Sequence, residues 1–264
     1  GFEDFDRLLA EAPDTMDGCY DPAPEDVMLI YFTSGTTGMP KMLAHDFRYG
    51  LGHLITGAFW HNLTDKSIHI TTADSGWAKF GWGKIYGQWI CEAAVFAYDY
   101  GTRFKPQDYL HLIEKYKITT FCAPPTIYRF FIKEGMEGYD LSALHYSTTA
   151  GEALNPEVYN RWYEFTGLRL MESYGQTETV MQVANFVGTT PKPGSMGKPS
   201  PIYDIHLIDE DGNDVPRGAV GEIVINTPAP ALAHAIYNAT GLWFRELPIT
   251  SEQIAMGIAE KECE

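Results

Sequence analysis

Short apolar runs alternate with longer amphipathic stretches along most of the chain. Six runs rich in β-branched and aromatic residues predict strands, at Val27–Phe32, Ile68–Thr71, Ala93–Tyr98, Ile118–Cys122, Leu144–Thr149 and Leu168–Glu172. The stretches between them predict helices near residues 45–58, 79–90, 106–117, 124–135 and 155–166. Strand–helix alternation at this spacing is typical of a mainly parallel sheet flanked by helices, so we expect an α/β fold in which the first run is a buried strand.

The pattern changes after residue 200. Two longer apolar arms, Ile202–Ile208 and Val220–Ile225, enclose an Asp211-Gly212 turn and predict a β-hairpin. Beyond the hairpin, a run of small residues that ends at Gly241, a residue suited to the C-cap of a helix, predicts a helical tail. We therefore divide the chain into an acidic linker segment (1–26), an α/β core (27–200), a β-hairpin subdomain fragment (201–227) and an unrelated helical tail (228–264).

Composition narrows the functional classes. The formal net charge of −16 argues against a general nucleic-acid binder, which would show a basic face. No run of about 18 apolar residues predicts a membrane-spanning helix. Three histidines recur every eight residues, at His53, His61 and His69, but this spacing fits no helix face or metal motif, so we assign them no common role.

The segment Tyr31–Lys41 predicts a phosphate-binding loop. Its small and hydroxyl-bearing residues are Thr33, Ser34, Gly35, Thr36, Thr37 and Gly38. Such residues let backbone N–H groups approach an oxyanion, and a lysine supplies the point charge that phosphate oxygens favour. The alternative interpretation is a polar turn after a strand. Met39 and Pro40 separate the glycine from Lys41, so the lysine lies on a stiff exit from the loop and not on the first helical turn of an ordinary P-loop.

A second polar segment, Glu172–Thr179, follows the last predicted strand of the core. Tyr174 can stack on a purine, Thr177 can donate to a phosphate, and Glu178 can bind Mg²⁺, which prefers one or two carboxylates plus phosphate oxygens. A strand-end turn with a hydrated glutamate is the alternative.

A third segment lies between these two in the sequence. Gly151 and Glu152 follow another predicted strand in a turn of small residues that would admit a ligand. For Glu152 the alternative is an acidic residue that the helix dipole favours at the start of a helix.

Together these segments resemble the signature motifs of the adenylate-forming superfamily, which includes acyl- and aryl-CoA synthetases, luciferases and peptide-synthetase adenylation domains. The resemblance covers about residues 1–226 and implies a nucleotide- and acyl-binding core that uses ATP, Mg²⁺ and CoA. It implies nucleotide contacts by Thr33, Ser34, Gly35, Thr36, Thr37, Gly38, Lys41, Gly151, Glu152, Tyr174, Gly175 and Thr177. It also implies catalytic roles for Lys41, Thr177 and Glu178, with Glu178 as the metal ligand.

The Gly-Trp-Ala-Lys and Tyr-Gly-Gln-Trp stretches at 76–79 and 86–89 resemble medium-chain acyl-CoA synthetases. This resemblance implies an acyl pocket bordered by Trp77, Trp82, Ala150 and Gly151, although aromatic stripes more often belong to a core. The expected partners are a medium-chain or aromatic carboxylate, ATP and CoA, with no nucleic acid and no membrane span. The expected location is the cytoplasm, or the mitochondrial matrix in a eukaryote.

Judged by this resemblance, we expect the chain to lack several family segments, namely the first part of the sheet, the ribose-binding aspartate segment and the small C-terminal domain. An incomplete ATP-dependent acyl-CoA synthetase is therefore the leading hypothesis, and an inactive nucleotide-binding fragment or gene chimera is the second. The tail resembles the C-terminal end of molybdenum hydroxylase large subunits, which makes part of such an enzyme a third and weakest hypothesis.

Overall fold

The computed structural model describes residues 4–15, 18, 21–33, 41–99, 101 and 104–226. Its helices are α1 (Phe5–Glu11), α2 (Arg48–Leu54), a π-helical turn (Ile55–Trp60), α3 (Ala78–Lys84), α4 (Tyr86–Ile90), α5 (Pro106–Tyr116), α6 (Pro125–Glu134) and α7 (Pro156–Thr166). Its strands are β1 (Val27–Thr33), β2 (Lys41–Asp46), β3 (Ile68–Thr71), β4 (Ala94–Val95), β5 (Thr120–Ala123), β6 (Tyr146–Ala150), β7 (Leu170–Gly175), β8 (Met181–Ala184), β9 (Lys198–Pro199), β10 (Asp204–Ile208) and β11 (Glu222–Asn226).

A seven-stranded sheet forms the centre, in the order β4-β3-β5-β6-β7-β8-β9. The first five strands are parallel, and β8 and β9 continue the sheet in antiparallel pairing. Strand β6 is buried almost throughout, which suits a parallel strand covered on both faces. The predicted α/β class with a mainly parallel sheet is confirmed, whereas the antiparallel edge strands β8 and β9 were not predicted.

The helices that pack on the sheet begin and end where their sequences favour it. A proline lies at the start of α5, α6 and α7, where a missing N–H costs little. The Asn155 side chain caps α7 by accepting from the Glu157 N–H at 2.8 Å, and Gly167 ends that helix in a left-handed conformation. These three helices lie within two residues of their predicted ranges.

Both faces of the sheet are covered by apolar side chains. On one face, α5, α6 and α7 contribute a buried cluster around Tyr128 and Trp162, which Phe121 of β5 joins. On the other, Cys122 of the same strand joins a cluster with Trp60 and Trp82. Neighbouring residues of one strand thus point to opposite sides, as strand geometry requires.

Two expectations about the first apolar run are wrong. Strand β1 does not join the parallel sheet but pairs antiparallel with β2 in a separate two-stranded sheet, with Thr33 opposite Lys41. The strand is not buried either, since Phe32 is 69% exposed. Because β2 occupies Lys41–Asp46, the helix expected from residue 45 begins only at Arg48. An apolar run indicates a strand but not its partner, because pairing depends on the rest of the chain.

Three histidines are buried: His53 on α2, His61 directly after the π-helical turn, and His69 on β3. The rings of His61 and His69 lie 4.6 Å apart, and His53 is close enough to His61 to act on it electrostatically. Each Nδ1 lies within hydrogen-bond distance of a threonine hydroxyl, in the pairs His53–Thr56 (3.2 Å), His61–Thr148 (2.9 Å) and His69–Thr120 (2.7 Å). Among the described residues, no group of three or more His, Cys, Asp or Glu could hold a metal ion.

Strands β10 and β11 form the predicted hairpin, with Asp204 opposite Asn226 and Ile208 opposite Glu222. The predicted helical tail at 228–264 lies outside the described residues. Within the ranges that the structure describes, no helix is long and apolar enough to cross a membrane.

Candidate functional site

A cleft of about 450 Å³ lies at the carboxyl edge of the central sheet. The segments that line it follow the carboxyl ends of β3, β6 and β7, or belong to β1. The lining residues are Tyr31, Phe32, Thr33, Gly76, Trp77, Ala78, Lys79, Trp82, Ala150, Gly151, Gly175, Gln176 and Thr177. Clefts at this edge of parallel sheets are where ligands bind in α/β proteins.

The predicted phosphate loop follows β1 and precedes β2 in the sequence, so its first and last residues lie on these two strands. Thr33, its first hydroxyl residue, lines the cleft, and Lys41 lies opposite Thr33 in the β1–β2 register. Lys41 is exposed and begins a strand, so the expectation that it is not on a helical turn is confirmed. The predicted contacts Ser34, Gly35, Thr36, Thr37 and Gly38 lie outside the described residues.

The second predicted segment reaches the same cleft from β7. Gly175 and Thr177 line it, while Tyr174 is half-buried and Glu178 is exposed, each next to a lining residue. Glu172, which opens the segment, has a structural part: its buried carboxylate accepts from the Leu154 N–H at 3.0 Å, and burial raises its pKa. An exposed carboxylate beside Thr177 suits a magnesium ion that also binds phosphate oxygens.

The turn after β6 supplies the cleft floor. Ala150 and Gly151 line the cleft, and Gly151 has a φ of +98°, a conformation that favours glycine. A Cβ on Gly151 would collide with the Lys79 side chain, so the glycine also makes room for that lysine. Glu152 is exposed outside the lining set and accepts from the Thr126 hydroxyl at 2.6 Å.

The tryptophan-rich segment after β3 forms the remaining wall. Trp82 is 5% exposed and donates from Nε1 to the Tyr49 hydroxyl at 3.0 Å, while Trp77 is 62% exposed at the rim. Trp82 therefore belongs both to the core and to the cleft wall, so the two interpretations of this residue are compatible.

Lys79 is a cleft residue that the sequence analysis did not single out. Its ammonium donates to the Ala150 carbonyl at 2.5 Å, and burial lowers its pKa. Among the described lining residues, it is the one with a positive charge. Its position three residues before Trp82 on α3 places both on one helix face, a spacing that could have indicated it.

With this geometry in place, the comparisons identify the family. The profile of the family described as AMP-binding enzyme matches residues 3–234, and the chain belongs to that family. Acyl-coenzyme A synthetase ACSM3, mitochondrial, from Mus musculus is 42% identical over 226 residues, which cover 85% of this chain and 39% of that protein. The human mitochondrial acyl-coenzyme A synthetase ACSM5 is 40% identical, with 85% and 38% covered.

Solved structures share the fold. A crystal structure of the anthranilate CoA ligase AuaEII in complex with anthranoyl-AMP has a TM-score of 0.76 at 28% identity and covers 85% of this chain and 43% of that one. ATP-bound MatB from Rhodopseudomonas palustris has a TM-score of 0.73 at 21% identity, a likeness of fold alone, with 84% of this chain and 43% of that one covered. The chain thus spans about 40% of the length of the relatives it matches. None of these proteins is a molybdenum hydroxylase, and the resemblance of the tail stays a prediction.

Proposed function

We propose that this chain carries the nucleotide- and carboxylate-binding part of an ATP-dependent acyl-CoA synthetase. The observation that carries the proposal is the convergence of Thr33, Gly151 and Thr177 on one cleft. These residues come from three segments that are far apart in the chain. Thr33 and Thr177 suit phosphates by their local chemistry, and Gly151 is assigned to the nucleotide through the family resemblance. A polar turn with no ligand would not require such convergence.

The phosphates would lie between the β1–β2 loop and the turn after β7. Lys41 and the loop hydroxyls would hold the triphosphate, and Thr177 would donate to the α-phosphate. Glu178 would hold Mg²⁺, which supplies positive charge against the phosphate oxygens when bound. This assignment is supported by the register of Lys41 with Thr33 and by the adjacency of Glu178 to Thr177.

Adenine and ribose would lie against Tyr174, Gly175, Gly151 and Glu152. The carboxylate substrate would enter beside Trp77 at the rim, with its apolar part against Trp82 and Ala150. Both inner residues are nearly fully buried in an apolar cluster, so this wall favours a medium-chain or aromatic acid over a small polar one.

The proposed chemistry is adenylation followed by thioester formation. A carboxylate oxygen attacks the α-phosphorus, a new P–O bond forms, and the bond to pyrophosphate breaks. The CoA thiol then attacks the acyl carbon, loses its proton and displaces AMP. Fixed positive charge and oriented donors lower the barrier to the first step, because negative charge shifts toward the departing phosphates.

Nucleotide binding tests the site assignment directly. Isothermal titration with MgATP should show binding by the wild-type chain, and Lys41→Ala and Glu178→Ala should each weaken it about tenfold to a hundredfold, as loss of a charged contact does. Lys133→Ala, which removes an exposed lysine on α6, is the matched control and should bind as the wild type does. Equal affinity in the wild type and both site variants would refute the assignment.

Turnover is tested separately by pyrophosphate release with Mg²⁺, ATP and a series of carboxylates. Release that depends on the carboxylate and favours medium-chain or aromatic acids supports the synthetase. Binding of MgATP without any release would support a nucleotide-binding chain with no turnover of its own.

A further inference from the structure

His45, on β2, joins the β1–β2 hairpin to the turn that carries Thr177 and Glu178. Its Nε2 lies 2.8 Å from the Thr177 carbonyl oxygen, across 132 positions of sequence. A carbonyl oxygen only accepts, so Nε2 carries the hydrogen in this bond. The contact ties the β1–β2 hairpin to the turn that brings Thr177 to the cleft.

The His45 ring is held in place by aromatic neighbours. It stacks on Tyr49, with ring centroids 3.9 Å apart and an interplanar angle of 25°, and it meets Tyr31 edge-on at 5.8 Å. Tyr49 in turn accepts the Trp82 Nε1 hydrogen bond at 3.0 Å. The donor is therefore oriented before any ligand binds, and β1, α2 and the Thr177 turn all contact one half-buried imidazole.

The turn that receives this bond is closed on itself. The Thr179 N–H donates to the Gln176 carbonyl at 3.1 Å, which makes Gln176–Thr179 a compact unit. His45 contacts that unit at Thr177, and the Glu178 carboxylate is close enough to act electrostatically on the ring. A shift of the imidazole would move both residues relative to the β1–β2 hairpin.

We propose that His45 is a positioning residue: its Nε2–H bond to the Thr177 carbonyl sets the distance between the β1–β2 hairpin, which carries Thr33 and Lys41, and the Thr177–Glu178 turn. The inference rests on the proposed function, since it assumes that the triphosphate and its magnesium ion lie between these two elements. It predicts that His45 affects binding of the phosphates and not of the nucleoside.

Two substitutions separate the hydrogen bond from the ring. His45→Phe keeps an aromatic ring against Tyr49 but removes the donor, whereas His45→Gln keeps an amide N–H near the Nε2 position and loses the ring. His45→Phe should weaken MgATP binding about threefold to tenfold, the effect of one lost hydrogen bond, and His45→Gln should restore most of it. Adenosine, which has no phosphate, should bind all three proteins equally.

Titration calorimetry with MgATP and with adenosine decides between the outcomes, and thermal unfolding shows that each variant is folded. Unchanged MgATP affinity in His45→Phe would overturn this inference and leave the proposed function standing. Equal losses for adenosine and MgATP, or no rescue by His45→Gln, would show a merely structural role and would also overturn it. A wild-type chain that binds no MgATP would overturn the proposed function, and this inference with it.

Discussion

Acidification should destabilise this protein through its three buried histidines. Burial lowers the pKa of His53 and of His69 to about 3, and it lowers that of His61 well below the usual 6.5. All three rings are therefore neutral in the folded protein at pH 7. In the unfolded chain they are hydrated and take up protons near the ordinary value of 6.5.

The sign and size of the effect follow from this difference. A histidine whose folded pKa is depressed contributes stability that is complete above the unfolded pKa and is lost as the pH falls toward the folded value. Each group costs about 1.4 kcal/mol per pH unit in that window, so three groups cost about 4 kcal/mol by pH 5.5. That loss is a large part of a typical stability of about 5–15 kcal/mol.

Another histidine acts in the opposite direction. His206 is exposed between Asp214 and Asp204, whose carboxylates raise its pKa. His206 therefore binds its proton more tightly in the folded protein than in the unfolded chain. Its contribution to stability is present at low pH and is lost as the pH rises through the raised pKa. The total slope is thus a sum over groups, and the clean measurement is the change of slope when one buried histidine is removed.

The assay is urea unfolding, followed by circular dichroism at pH values from 7.5 to 5.5. His69→Asn keeps a polar atom near the position of Nδ1 but cannot take up a proton. It should therefore reduce the fall in unfolding free energy between pH 7.5 and pH 5.5 by about 1.4 kcal/mol, an average slope change of about 0.7 kcal/mol per pH unit. Leu110→Ala, at a fully buried core position, should lower stability by about 2–5 kcal/mol without changing the slope. Equal slopes in the wild type and His69→Asn would refute this reasoning.

Three further predictions concern packing and backbone. Gly57→Ala should lower the free energy of unfolding in urea by about 3 kcal/mol or more, because its Cβ would lie 2.5 Å from the backbone of α4. Gly52→Ala is the control and should cost nothing, because its nearest contact would be 3.4 Å away. Equal losses of stability in the two variants would contradict this prediction. Asn155→Ala should cost about 1 kcal/mol through loss of the α7 cap, and an unchanged midpoint would argue against the cap. Gly151→Ala should lower stability by about 1–3 kcal/mol in thermal unfolding, through backbone strain and a clash with the Lys79 side chain. The double variant with Lys79→Ala should recover part of the lost stability, because the clash is removed. Losses that simply add in the double variant would exclude a contribution from the clash.

Local chemistry was the predictable part of the candidate site. Hydroxyls, glycines and a lysine in one short segment indicate phosphate binding wherever that segment lies, so Thr33 and Lys41 could be found without coordinates. Gly151 and Thr177 were found in the same way, from small and polar residues directly after strands. Their meeting in one cleft follows from parallel pairing, since neighbouring parallel strands bring their carboxyl ends to one edge.

Contacts between distant segments were not predictable. Lys79 reaches Ala150 across 71 positions and His45 reaches Thr177 across 132, and neither side chain has a neighbour in sequence that suggests its partner. The same holds for His61 and His69, whose regular spacing carried no meaning until the fold buried both rings together.

The sequence by itself determined the family, the α/β alternation, the helix ends at proline and glycine, and the residue types on which the predicted phosphate loop depends. Each of these depends on residue types within a few positions of one another. Tertiary structure decided that β1 pairs with β2 outside the main sheet, that Lys79 covers Gly151, and that His45 holds the Thr177 turn. These depend on which surfaces meet when the chain packs, and that choice is made by the whole set of competing contacts and not by any one segment.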